Sequence, residues 1–256
     1  MKTVILAGGF GTRFSEETHK IPKPMIKINN KPILLHIMSI YSKYGYNDFC
    51  LALGYKAELI NNYLLNNGFK KIDNNISANS SDSIQMVNGK LSVTTVNTGL
   101  NTMTGGRLKR LRKLIGNDTF MLTYGDGVCD LDVNELIKFH KSHKKMVTVT
   151  AVHPIARFGE LIIENNMVVN FREKPQTNND WINGGFFVIN PEFIDLIDSD
   201  ETIMEREPLE KISAMNELMA YKHSGFWQCM DTKRDRDNLE TLAKSKNPPW
   251  QKKNNC

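Results

Sequence analysis

Short runs of β-branched and apolar residues recur along this chain, each followed by a stretch with apolar residues at helical spacing, and this alternation constrains the fold most. Thr3–Ala7 is the first such run, of the kind buried on both faces in a parallel sheet. Pro32–Tyr44 has helical spacing, with proline at its first position and Gly45 at its end. Further strands are expected at Asp48–Leu53, Leu91–Val96, Thr119–Tyr124, Val147–Val152 and Asn183–Ile189. Further helices are expected at Ala57–Leu65, Gly106–Ile115, Leu131–His143, Pro191–Ile197 and Glu207–Ala214. ELIIENNMVVNFREK reads as a hairpin around Glu164-Asn165-Asn166. Met219–His223 and Phe226–Met230 read as short late strands before a polar helix at Thr232–Lys244. Residues 66–90, rich in Asn, Ser and Lys, read as a surface excursion. The pattern predicts an α/β chain with an open, mostly parallel sheet, helices on both faces and antiparallel late strands. With no repeat and no linker, residues 1–256 read as one domain.

Composition narrows the class of ligand. A chain of 256 residues with 40% apolar and 24% charged residues has the balance of a globular protein with a sizeable core. Lys and Arg number 33 against 28 Asp and Glu, a net +5 spread along the chain. That argues against nucleic acid as a partner and suits small anions. Cys50, Cys129, Cys229 and Cys256 form no short-spaced pair, so they read as reduced thiols of a cytoplasmic protein. No apolar run approaches the roughly 18 residues of a membrane span, and the N-terminal apolar run is too short for a signal peptide. No membrane partner is expected.

In open α/β sheets ligands sit beyond the carboxyl ends of strands. Four segments fall there. Gly8-Gly9-Phe10-Gly11-Thr12-Arg13 lets the backbone approach a polyphosphate, and Arg13 and Lys23 add fixed charge. No Gly-Lys-Ser/Thr follows, which excludes a P-loop, and Phe14 stands where a dinucleotide fingerprint needs its third glycine. In Thr123-Tyr124-Gly125-Asp126-Gly127 the carboxylate is placed to meet a metal ion held on phosphates, or simply to leave a strand in an Asp-Gly turn. Asp231, in MDTKRD, offers a second carboxylate or an N-cap for the last helix. Glu173-Lys174-Pro175 and Asn183-Gly184-Gly185 combine charge, an amide and open backbone, a set suited to hydroxyls and a phosphate, or to a surface ion pair and a bulge. Cys129 reads as a small buried thiol, and the aromatics of GFFVI and GFWQ read as core.

LAGGFGTRFSEET with PKPM resembles the signature of the sugar-nucleotide pyrophosphorylases, a family of nucleotidyltransferases. KPILLHIM, TGLNTMTGGRLKRL, FMLTYGDGV, RFGELII, EKP, WINGGFFVI, EPLEKI, GFWQCMDTKRD and PPW are similar, in that order, to the glucose-1-phosphate cytidylyltransferases of that family. The resemblance covers nearly the whole chain except 66–90. It implies a Rossmann-like three-layer α/β/α nucleotidyltransferase fold with a mixed, mostly parallel sheet. The part at about 147–230 would bind the sugar phosphate. The implied reaction joins CTP to α-D-glucose 1-phosphate, giving CDP-glucose and pyrophosphate, with Mg²⁺ as cofactor. Such a product feeds polysaccharide biosynthesis, and relatives assemble as homo-oligomers.

On matching positions the resemblance puts Leu6, Ala7, Gly8, Gly9 and Phe10 against cytosine and ribose. Gly11, Thr12 and Arg13 would meet the triphosphate, with Thr102, Arg107 and Gly125 also at the nucleotide. Asp126 and Asp231 would hold Mg²⁺. Lys23, Tyr124, Glu173, Lys174, Asn183 and Gly184 would face the sugar phosphate. Arg13, Lys23 and Asp126 would carry the catalysis. The chain departs from the family pattern at Asn97 in VNTG, at Cys229 in place of proline, at Met204 before Glu205, at Ala156 before Arg157-Phe158-Gly159, and at HKIP (19–22). None of these removes a metal carboxylate or a phosphate-binding base, so cytidylyl transfer is expected. They leave open another acceptor, a different sugar phosphate or a non-sugar such as phosphoglutamine. A non-catalytic nucleotide-binding module would be expected to have lost a metal carboxylate or Lys23, and a dinucleotide oxidoreductase needs a glycine and an acid that are missing here.

Overall fold

The computed structural model describes residues 1–14, 18–72, 83–154, 160–172 and 180–251. The strands are β1 (Thr3–Leu6), β2 (Lys27–Ile28), β3 (Lys31–Pro32), β4 (Asp48–Leu53), β5 (Lys70–Lys71), β6 (Ser83–Asn88), β7 (Leu91–Asn97) and β8 (Phe120–Tyr124). They continue with β9 (Gly127–Cys129), β10 (Val147–Val152), β11 (Glu160–Glu164), β12 (Met167–Arg172), β13 (Ile182–Ile189), β14 (Leu218–His223) and β15 (Trp227–Cys229). The helices are α1 (Ile33–Ser42), α2 (Ala57–Asn66), α3 (Thr104–Arg110), α4 (Arg112–Ile115), α5 (Val133–His143), α6 (Glu207–Ala214) and α7 (Lys233–Ala243).

Among the described residues, nine strands form one sheet in the order β14-β10-β13-β8-β1-β4-β7-β6-β5. From β1 the chain steps outward through β4 to β7, all parallel. It then returns to lay β8 against the other flank of β1, again in parallel. The winding therefore reverses between β1 and β8, the place where an open α/β sheet leaves a crevice for ligands.

Period-two alternation sorts the side chains into two layers. Ile5, Phe49, Leu51, Met121 and Phe186 face one side, where α1, α2, α5 and α7 cover them together with Trp250. Val4, Cys50, Ala52, Leu122 and Phe187 face the other, under α3, α4 and α6. The result is a three-layer α/β/α fold with a mixed, mostly parallel sheet, as expected. Among the described residues, no helix is long and apolar enough to cross a membrane.

Four local expectations change. Of the late strands, β13 runs antiparallel to both β8 and β10, but β14 runs parallel to β10, because the connection from β13 through α6 carries it past β10 to the far edge. β15 leaves the large sheet and pairs with β9 instead. The basic helix expected at Gly106–Ile115 begins at Thr104 and breaks at Leu111, whose N–H turns back to the Leu108 carbonyl. The ends of the 66–90 stretch supply β5 and β6, the last two strands on one side of the sheet, while 73–82 lie outside the described residues. The β11–β12 hairpin forms as expected. Asn165 and Asn166 at its tip have φ of 47° and 66°, the backbone that a two-residue hairpin turn requires.

Candidate active site

At the carboxyl end of β1 the backbone runs from Leu6 through Ala7, Gly8 and Gly9 into a cleft of about 750 Å³. The cleft wall includes every predicted position from Leu6 to Thr12, along with Lys23, Thr102, Arg107, Tyr124, Gly125, Asp126 and Asn183. Gly11 turns the loop with φ +67°, and Thr18 closes it by donating to the carbonyls of Gly11 and Phe14. Arg13 lies in the single turn Thr12–Phe14, and its side chain is outside the described residues.

Arg107 is buried beneath this loop. Nη1 donates to Leu53 O, Thr98 Oγ1 and Gly99 O, and Nη2 to Gly8 O and Leu100 O, at 2.8 to 3.2 Å. One guanidinium thus ties together the chain beyond β1, β4 and β7. Every one of these partners is a neutral oxygen. Burial, and then the neighbouring Arg110, pushes its pKa down from the ordinary value. The glycines around it are required by this packing. A Cβ on Gly8 would fall 2.2 Å from Nη1, and one on Gly54 would fall 2.4 Å from the same atom. Gly9 meets nothing within 4 Å, so it is the open glycine of the loop.

The second cation is organised differently. Lys23 sits in the proline-bracketed turn Lys23–Met25. Its Nζ donates to Asp126 Oδ2 and to Asp231 Oδ1, each at 2.6 Å. The β9–β15 pairing brings these carboxylates together: Gly127 lies opposite Cys229, and Met230 N–H donates to the Asp126 carbonyl at 2.9 Å. Burial works against the charge on Lys23, yet the carboxylates, Asp126 first, outweigh it and its pKa is raised. Asp231 is not the cap of α7, since Thr232 accepts from Asp235 N–H and completes a capping box. The donor chemistry fits a divalent ion. Two carboxylates far apart in sequence converge on one positive centre in the cleft, and Mg²⁺ takes one or two such ligands plus phosphate and water. Cys229 Sγ lies 3.7 Å from Asp231 Oδ2. Burial, and then Asp231, pushes this thiol up to about 12, so it stays protonated.

Across β8 the wall is made of side chains. Tyr124 donates from its hydroxyl to Glu205 Oε1 at 2.7 Å and accepts from Asn183 Nδ2 at 3.2 Å. Asn183 in turn accepts from Gly185 N–H at 2.8 Å. Gly185 has φ +79°, and a Cβ there would strike the Tyr124 ring at 2.5 Å. The bulged start of β13 is therefore shaped around that tyrosine. Gly184 is buried and accepts from Trp227 Nε1 at 2.7 Å. Glu173 and Lys174, and the Arg157-Phe158-Gly159 stretch, lie outside the described residues. Cys129 is buried in the core, as expected of a small thiol, and so are Phe186 and Phe187.

The fold thus gathers most of the expected residues at one crevice, and it adds Glu205, Thr104, Met103 and Pro24 to the cleft wall. Glu205 stands beside the EPLEKI stretch and the Met204 departure, neither of which gives it a role of its own. Only its contact with Tyr124, 81 residues away, reveals it. Arg107 lines the cleft while its hydrogen bonds go to the protein's own carbonyls, a detail that sequence pattern does not contain.

Comparison with known proteins agrees with this architecture. Residues 2–234 match a family model described as Nucleotidyl transferase. The chain is 49% identical over 255 residues to a Salmonella typhi protein named glucose-1-phosphate cytidylyltransferase, covering 98% of each. It is 43% identical over 236 residues to a Bacillus subtilis protein named probable glucose-1-phosphate cytidylyltransferase, covering 91% of this chain and 92% of that one. In three dimensions it superimposes on a putative glucose-1-phosphate thymidylyltransferase from Bacillus anthracis with a TM-score of 0.69, at 19% identity and 96% coverage of each chain.

Proposed function

The chain belongs to the nucleotidyl transferase family, and from that premise we propose that it joins CTP to α-D-glucose 1-phosphate, giving CDP-glucose and pyrophosphate. The observation that carries this reading is the cluster of Lys23, Asp126 and Asp231 at the switch point, next to the glycine loop. An oxygen of the sugar phosphate attacks the α-phosphorus of CTP in line; the new O–P bond forms as the bond to the leaving pyrophosphate breaks. Two anions must meet, so the protein's task is neutralisation and alignment, without a covalent nucleophile.

Each predicted residue has a place in this reading. The loop from Gly8 to Thr12 cradles the triphosphate with backbone N–H groups, and Arg13 steadies the departing pyrophosphate. Thr102 and Gly125 shape the nucleotide side, and Arg107 holds the loop from beneath. Lys23 screens the incoming phosphate. Tyr124, Asn183 and Gly184, with Glu173 and Lys174, take the acceptor. Asp126 and Asp231 would hold Mg²⁺, which supplies charge to the phosphate oxygens when bound. The homo-oligomer implied by the resemblance belongs to the same reading, and light scattering on the eluting protein measures it.

The test is pyrophosphate release with each of four nucleoside triphosphates against a panel of phosphorylated acceptors. CTP with glucose 1-phosphate should give the highest kcat/KM, with CDP-glucose formed one for one with pyrophosphate. Release only with another acceptor would keep the chemistry and overturn the substrate. No release with any pair would overturn both.

A further inference from the structure

A cleft for two phosphorylated substrates has reason to hold carboxylates that bind a cation, and Asp126 and Asp231 fill that role. Glu205 does not belong to that pair. It is half-buried in the cleft wall, just ahead of α6, and its two carboxylate oxygens accept from two neutral hydroxyls. Oε1 accepts from Tyr124 at 2.7 Å and Oε2 from Thr104 Oγ1 at 2.5 Å. Thr104 is itself fixed by accepting from Met204 N–H at 3.0 Å. The carboxylate therefore spans from the start of α3 to the end of β8, held at both oxygens.

An ionised carboxylate only accepts, and it has room for about four hydrogen bonds. Tyr124 and Thr104 occupy one site on each oxygen. What such a group selects from a ligand is a neutral O–H or N–H; a phosphate oxygen is repelled. CTP and the sugar phosphate both carry suitable donors, so position has to decide between them. Oε1 shares Tyr124 with Asn183, at the ends of β8 and β13. The glycine loop and Arg107 lie on the other flank, beyond β1, β4 and β7. Burial, and then the facing Glu205 charge, holds the Tyr124 phenol far above its ordinary value, so it remains a donor and fixes Oε1.

We propose that Glu205 is a specificity-determining residue that accepts a hydrogen bond from a ring hydroxyl of the acceptor sugar, an inference that rests on the reading of the chain as a sugar-1-phosphate nucleotidyltransferase. Its charge also sets the polarity of the acceptor: hydroxyl edge toward Glu205, phosphate toward Lys23. A phosphorylated acceptor without that hydroxyl would forgo a hydrogen bond to a charged, half-buried carboxylate and would be disfavoured.

The experiment crosses one substitution with one deletion in the substrate. Glu205→Gln keeps the shape and removes the charge. Wild type and variant are assayed with CTP and glucose 1-phosphate, and with its 2-, 3-, 4- and 6-deoxy forms. Wild type should lose about 10- to 100-fold in kcat/KM with one of these, the scale of one hydrogen bond to a charged group. The variant should lose a similar factor with glucose 1-phosphate and little more with that same deoxy sugar, while its KM for CTP stays within about twofold. Losses that multiply for every analogue, or a KM for CTP rising in step, would overturn the proposal. Thr104→Val, which frees Oε2 and the Met204 N–H but leaves Tyr124 on Oε1, should weaken the same discrimination; it keeps the question answerable if Glu205→Gln folds poorly. Wild-type failure with glucose 1-phosphate would instead strike the functional reading itself.

Discussion

Two cations, the buried Arg107 and the half-buried Lys23, organise the two flanks of the cleft, and they are built in opposite ways. Arg107 is surrounded by neutral oxygens from three strand ends. Lys23 lies between two carboxylates. The environment of Arg107 positions backbone while leaving its charge uncompensated by those partners. Around Lys23 the charge is balanced, and the same carboxylates are the groups a divalent ion needs. In the proposed reading one flank would receive a triphosphate through fixed dipoles, and the other is set by side chains whose partners can change.

The largest effect should come from the Lys23 cluster. Asp126→Asn or Asp231→Asn should cut turnover by about 100-fold or more, in the manner of losing one preorganised charge at a reacting centre. Circular dichroism and thermal midpoint should stay close to wild type. Wild-type rates from both variants would break the contrast between the two cations. Next comes Arg107→Lys, which keeps a charge but loses the planar fork. It should destabilise by about 1–3 kcal/mol, because several buried carbonyls lose their donor, and the KM for CTP should rise. Unchanged stability in urea would show that the loop does not depend on the guanidinium.

A paired substitution sharpens the comparison further. Gly8→Ala must displace Arg107 and should cost about 1–3 kcal/mol. Gly9→Ala meets open space and should leave stability nearly unchanged while weakening CTP binding, since the added methyl group blocks close approach of phosphate. Equal stability losses from both would merge the two glycines into one structural role.

The smallest effect lies away from the cleft, near the carboxyl end of β13. Lys145 N–H donates to His143 Nδ1, so His143 Nε2 carries the proton and donates to Thr148 Oγ1 at 2.7 Å. Thr148 then donates to His140 Nδ1 at 2.9 Å, and His140 Nε2 donates to Asn190 Oδ1 at 3.2 Å. Burial holds both imidazoles below their ordinary value. For His143, His140 and Lys145 add to that, while Glu217 opposes it. As the pH falls through about 6.5 the unfolded chain takes up protons first. Stability that is full above that pH should therefore decline below it, seen as a lower urea midpoint at pH 5.5 than at pH 8. His140→Asn should flatten that slope.

Much of this molecule was legible in its residues. The bounds of β4, β10 and α6 follow directly from local periodicity, because burial on two sheet faces or one helix face is written in neighbouring side chains. Glycine, proline and aspartate at strand ends marked the crevice for the same local reason. Less legible was any feature set by distant registers. The departure of β15 from the large sheet was unreadable, as was the parallel β14, since both depend on which edge a connection reaches.

The sequence by itself determined an α/β alternation, a glycine loop after the first strand, and carboxylates at the ends of two later ones. Tertiary structure alone decided how these meet. Lys23 finds partners 103 and 208 residues away, Arg107 turns inward to five oxygens, and Glu205 becomes part of the cleft through Tyr124. The physical reason is range. Helix and strand preferences act over a few residues, whereas a hydrogen bond across the sheet exists only once strand order and register are set.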